Sequence, residues 1–113
     1  MIQIKTFGYK SGDRPAPKGL SFDVRCLKNP HHIPDLRPLD GRDAKVQEFV
    51  GRDPIFKRIL QASIDAAKAD PNAEIVFGCF GGRHRSVACA ELLGAYLKDK
   101  GVPFEIAHRE LAA

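Results

Sequence analysis

The segment Ala73-Glu74-Ile75-Val76-Phe77-Gly78-Cys79-Phe80-Gly81-Gly82-Arg83-His84-Arg85-Ser86 constrains this chain more than any other stretch. Its first half, Ala73 to Cys79, is a short and mostly apolar run, the pattern of a strand buried on both faces. Two glycines and a basic cluster follow. From Val87 to Lys100, apolar residues at 87, 90, 93, 96 and 97 recur at helical spacing, and Gly101 supplies the expected stop. The segment therefore predicts a strand, a tight glycine loop and a helix, a unit that belongs to α/β architectures.

Such a junction is suited to holding an anion. The first backbone N–H groups of a helix lack internal partners, and the helix dipole is positive at that end. Gly81 and Gly82 remove side chains that would block close approach. Arg83, His84 and Arg85 surround the spot with donors, and a guanidinium can meet two phosphate oxygens at once. Ser86 can cap the helix or donate to a ligand. A tight turn with solvated cations is the simpler alternative, but it does not need two glycines and three basic residues at one helix start. The same residues fit Cys79-x5-Arg85-Ser86, which resembles the loop of cysteine-dependent phosphatases. In that alternative Cys79 is the nucleophile and Asp23, Asp35 or Asp40 supplies the acid. Cys79 can equally be a small apolar residue closing a buried strand.

The rest of the chain completes an α/β pattern. Ile2, Ile4 and Thr6 alternate with Gln3 and Lys5 as in a half-buried strand, and Gly8 to Gly19 reads as a loop. Leu20 to Leu27 alternates again, which predicts a second strand. Residues 28 to 42 carry Pro30, Pro34 and Pro38 with His31, His32, Arg37 and Arg42, a long connection incompatible with a regular helix. Val46, Phe49 and Val50, then Ile55, Phe56, Ile59, Leu60 and Ile64, predict two helices, with Pro54 in a first helical turn. Phe104 to His108 gives a last strand. The expected fold is a single domain over residues 1–113, a mixed sheet of about four strands covered by helices, with a phosphate-binding strand-loop-helix.

Composition bounds the partners. With 18 Lys and Arg against 14 acidic residues, the net charge of +4 favours anionic partners, phosphorylated metabolites or RNA among them. Cys26, Cys79 and Cys89 are an odd number without CxxC spacing, which argues against disulfides or a zinc site and for a reducing, cytoplasmic setting. No membrane association, metal or cofactor is expected. The N-terminus lacks an apolar signal-like core, and no stretch approaches the length of a membrane span.

Taken together, Phe7-Gly8-Tyr9-Lys10, Phe22-Asp23-Val24-Arg25, Asn29-Pro30-His31, Leu36-Arg37-Pro38-Leu39, Gly78-Cys79, Gly81 to Ser86 and His108-Arg109 resemble the C-terminal domain of the RNase adapter protein RapZ family. The match runs in order across nearly the whole chain. The resemblance implies a binding module for a phosphorylated amino sugar, glucosamine-6-phosphate, with small RNA and an endoribonuclease as partners, and implies no phosphatase activity. Carried over residue by residue, it implies ligand contacts from Asn29, His31, Cys79, Gly81, Gly82, Arg83, His84, Arg85 and Ser86, with Asp23, Arg25, Arg37, Phe80 and His108 as candidate pocket lining. Lys10 and Arg37 also fit as solvated surface cations.

Departures limit the transfer. No G-x-x-x-x-G-K-[ST] occurs, so the nucleotide hydrolysis of the family's N-terminal domain is not carried over. Phe80 stands where the family has a small hydroxyl residue, and His32 where it has a Trp. The end Glu110-Leu111-Ala112-Ala113 lacks a lysine-rich tail, which weakens the electrostatic case for RNA. The leading expectation is a non-enzymatic module for a sugar phosphate or nucleotide, regulatory through RNA or a protein partner, with a homo-oligomer among the expected partners. A cysteine-dependent phosphatase and an RNA-binding domain are the alternatives.

Overall fold

Alternation in Ile2-Gln3-Ile4-Lys5-Thr6 buries Ile2, Ile4 and Thr6 on one side of a strand, β1 (Ile2–Gly8). In the computed structural model, which describes residues 1–12 and 14–111, the chain continues through β2 (Leu20–Asp23), α1 (Ala44–Gly51), α2 (Pro54–Ala69), β3 (Glu74–Cys79), α3 (Arg85–Asp99) and β4 (Phe104–His108). Short 3-10 turns occupy Val24–Cys26 and Pro30–His32.

The four strands lie in the order β2-β3-β1-β4, and every pairing is parallel. The expected four-stranded α/β architecture is therefore present, with a purely parallel sheet where a mixed one was expected. Parallel strands need crossover connections, and α3 carries the chain from β3 past β1 to β4. Ile2, Ile4, Ile75, Phe77 and Cys79 pack into one core with Ala88, Cys89, Leu93 and Leu97 of α3 and with Val46, Val50, Phe56 and Ile64 of α1 and α2. Val76, on the opposite face of β3, is also fully buried, so the central strand is covered on both sides as its sequence predicts.

The second strand is shorter than the expected Leu20 to Leu27. The Asp23 carboxylate accepts the Arg25 N–H at 3.0 Å and turns the chain into a 3-10 arc, which leaves Cys26 exposed instead of facing the core. The two helices around Pro54 form as predicted. Asp53 caps α2 through the Ile55 N–H at 3.0 Å and holds the Lys28 N–H at 3.1 Å with its other oxygen, which anchors the start of the proline-rich connection. Helix α3 begins at Arg85, two residues before its apolar pattern, and ends where Gly101 takes φ +71°. Bonds from Val102 N to Leu97 O (2.9 Å) and from Gly101 N to Lys98 O (3.1 Å) close that end.

Candidate anion-binding site

Backbone packing fixes the loop between β3 and α3. Tyr9 N donates to Cys79 O at 2.9 Å and Lys10 N to Phe80 O at 2.8 Å, so the loop is tied to the segment leaving β1. The two glycines act differently. Gly82 adopts φ +71°, and a Cβ there would lie 2.6 Å from Gly8 N and 2.8 Å from Phe7 C. Among the described residues a Cβ on Gly81 would meet nothing within 4 Å. Gly82 thus shapes the loop, and Gly81 leaves its outer side open.

That open side carries unpaired donors. No side chain caps α3, and among the described residues none of the N–H groups from Gly81 to Val87 donates to a protein acceptor. The first to find one is Ala88, which bonds His84 O at 2.9 Å. The amides sit beyond the carboxyl end of β3, where open parallel sheets commonly bind ligands.

A cavity of ≈ 350 Å³ lies over the loop. One wall is made by Cys79, Phe80, Gly81, Arg83, His84 and Arg85, the other by Asn29, His31 and Arg37, and Lys10 completes the rim. Among the described residues no carboxylate lines it, so the cavity is electropositive in both its side chains and its backbone.

Arg85 joins the two walls. The residue is 7% exposed, and its Nη1 donates to Arg25 O at 2.8 Å and Leu27 O at 3.2 Å, clamping the 3-10 arc after β2 against the start of α3. Cys79 is buried and its Sγ donates to Ser86 Oγ at 3.1 Å; Ser86 is fully buried beneath the loop. His84 keeps a buried Nε2 without a partner among the described residues, and its ring meets His31 edge-on with centroids 6.2 Å apart.

The second wall is held by bonds within its own segment, backbone turns such as Ile33 N to Pro30 O at 2.9 Å and Arg37 N to Ile33 O at 3.0 Å together with side-chain bonds. Asn29 Oδ1 accepts the His31 N–H at 3.1 Å and caps the turn at Pro30–His32, and Arg37 Nε donates to His31 O at 2.8 Å. Reduced solvation, then the charges of Arg37 and His84, hold the His31 imidazole below the ordinary histidine value.

Not every candidate from the sequence lines the cavity. Gly82 and Ser86 support it from below. Asp23 and Arg25 pair with each other at 2.7 Å on the surface, and the Arg25 guanidinium lies 3.8 Å from the centre of the Tyr9 ring. Hydrogen bonding from Arg25 keeps the Asp23 carboxyl below the usual carboxylate range despite some desolvation. Asp40 pairs with Arg42 at 2.8 Å, and Asp35 is exposed. His108 bonds Thr6 Oγ1 at 2.9 Å and approaches Glu91 at 3.5 Å, away from the cavity lining.

Three supporting residues escaped the sequence reading. Gly8 lies under the loop, where a Cβ would come within 2.6 Å of Gly81 C. Gly41 donates to Arg83 O at 2.8 Å, and a Cβ there would collide with Ala88 N and lie 2.6 Å from His84 O. Glu110 accepts the Gly8 N–H at 3.1 Å and Arg109 Nε at 3.0 Å. Burial raises the Glu110 pKa, but the Gly8 bond and Arg109 outweigh it and leave the carboxyl below its ordinary value. Only Gly8 carried a sequence signal, ending the strand that pairs with Cys79.

Comparison with known proteins covers the same span. A family model described as the RapZ C-terminal domain matches residues 1–112. A nucleotide-binding protein of Paramagnetospirillum magneticum is 41% identical across 97% of this chain and 39% of its own length. Nucleotide-binding proteins of Shewanella halifaxensis (39% identity) and Ruegeria pomeroyi (41%) align over 98% and 97% of the chain, each over 42% of its own length. The chain thus spans about two-fifths of the length of these curated relatives. Among the described residues no helix is long and apolar enough to cross a membrane.

Proposed function

We propose, for a chain that belongs to the RapZ C-terminal domain family, that the cavity over Gly81 to Val87 binds the phosphate of a small phosphorylated molecule. The observation that carries this reading is the row of amides from Gly81 to Val87 without protein acceptors at the start of α3, beside a cavity lined by Lys10, Arg37, Arg83 and Arg85 and, among the described residues, by no carboxylate. Backbone N–H groups fixed by Gly82 and Gly41 need no rearrangement to meet phosphate oxygens. The arginine guanidinium groups then offset the phosphate charge, and His84 and His31 add ring N–H donors.

Binding is favoured over phosphoryl transfer. A cysteine-dependent phosphatase needs an acid beside the leaving group, and Asp23, Asp35 and Asp40 all lie outside the cavity lining, the first and last engaged by arginines. Sugar phosphates such as glucosamine-6-phosphate and nucleotides both fit this chemistry. In this reading the module is cytoplasmic and passes the ligand's presence to RNA, to a protein partner or to a second copy of itself.

Calorimetry with inorganic phosphate, sugar phosphates and nucleotides tests the proposal. Saturable binding of phosphate and at least one ester, weakened at least tenfold by Arg83→Ala with His84→Ala, is expected. Failure of phosphate and every ester to bind would sink it. A parallel assay with a generic aryl phosphate should show no turnover dependent on Cys79.

A further inference from the structure

Phe80 is the most exposed large apolar residue among those described, at 57%, and the only aromatic one in that group. Isolated apolar residues on a surface are ordinary. Met1, Leu20, Ile33 and Ile55, the others in the group, do not line the cavity, whereas Phe80 does. Its position is not an accident of a loose loop. The carbonyls of Cys79 and Phe80 are held by Tyr9 N and Lys10 N at 2.9 and 2.8 Å, so the ring stands on a pinned backbone one residue before the open amides.

A fixed, exposed ring beside a phosphate cradle provides a flat apolar face at the point where the organic part of a phosphate ester would emerge. The cavity of ≈ 350 Å³ falls within the range of small-molecule sites, roughly 300–1,000 Å³. The second wall brings the Asn29 amide and the His31 ring, both able to meet the polar edge of a planar heterocycle. We infer that Phe80 sets the ligand class of this site: a nucleoside monophosphate, with its phosphate on the Gly81 to Val87 amides and its base stacked on the Phe80 ring. This rests on the phosphate-binding reading above and adds the base.

Stacking of a base on an aromatic residue is worth about 1–3 kcal/mol by alanine substitution, or roughly 5- to 150-fold in affinity. The decisive comparison is between ribose-5-phosphate and the purine nucleotides AMP and GMP, which share the phosphate and pentose and differ by the base. Dissociation constants are measured by calorimetry, with inorganic phosphate and glucosamine-6-phosphate alongside. At least one nucleotide should bind at least about fivefold tighter than ribose-5-phosphate. In Phe80→Ala that ratio should fall close to one, and in Phe80→Trp it should persist. Because the ring is exposed, both variants should unfold at the same urea concentration as the unsubstituted chain. Phosphate binding with equal affinity for ribose-5-phosphate and both nucleotides overturns this inference alone. A nucleotide preference that survives Phe80→Ala also overturns it. Absence of binding by phosphate and all esters overturns it together with the reading beneath it.

Discussion

The two walls of the cavity are built by different means. The Cys79 to Arg85 wall is held by backbone against backbone, with Gly8, Gly41 and Gly82 each at a position where a methyl group would strike main-chain atoms. The Asn29 to Arg37 wall is held by bonds within its own segment, the backbone turns His32 N to Asn29 O, Ile33 N to Pro30 O and Arg37 N to Ile33 O and the side-chain bonds of Asn29 to His31 N and Arg37 to His31 O, on a mostly exposed surface. Backbone contacts are short-ranged and stiff, whereas exposed polar bonds exchange readily with water. The first wall therefore has the rigidity that the proposed phosphate site requires, and the second is suited to adjusting around the organic part of a ligand.

Substitutions can break this contrast, and the largest effect is expected at Gly82. Gly82→Ala forces a left-handed conformation, costing about 1–2 kcal/mol, and crowds Gly8 and Phe7, costing about 1–3 kcal/mol more. Urea unfolding should show the sum, and a loss under 1 kcal/mol would mean the loop is not rigidly packed.

Glu110→Gln comes next, with an expected loss of about 1.5–3 kcal/mol, because it removes the charged acceptor of Gly8 N and Arg109 Nε behind the same wall. Its sign with pH follows from the lowered folded pKa. The contribution is complete above the unfolded carboxyl's pKa and disappears as pH falls through the folded value. The variant's stability should therefore change less than the parent's between neutral pH and the acid range, and parallel curves would contradict this role.

In the second wall Asn29→Ala should cost only about 1 kcal/mol, the usual worth of a cap, while weakening phosphate esters more than inorganic phosphate. Equal weakening of both would remove the proposed division of labour. The smallest stability effect is expected at Gly81, where a methyl meets nothing. Gly81→Ala should leave stability within about 0.5 kcal/mol and still lower phosphate affinity about tenfold by covering the amides. Unchanged affinity would place the anion elsewhere.

The sequence made the first wall legible because its elements are local. The apolar run of β3, the glycines and the helical spacing of α3 all lie within thirty residues, and each follows from a backbone rule. The roles of Gly8, Gly41 and Glu110 were not legible, since each depends on a contact across 40 to 102 positions that no local pattern encodes. The end of β2 was misjudged for a related reason. Alternation carried the strand through Cys26, but the Asp23 carboxylate bonds the Arg25 N–H and competes successfully with sheet pairing at an edge strand. Strand direction was also hidden, because the order β2-β3-β1-β4 pairs strands that are distant in the chain and no local pattern encodes their relative direction.

The central claim is that the free amides between Gly81 and Val87 hold the phosphate. Titration of the ¹⁵N-labelled chain with inorganic phosphate, followed by amide chemical shifts, tests it most directly. The account predicts that the largest saturable shifts fall on Gly81 to Val87, with smaller ones at His31 and Lys10. Saturable shifts confined to other basic surfaces, or none at Gly81 to Val87, would contradict it.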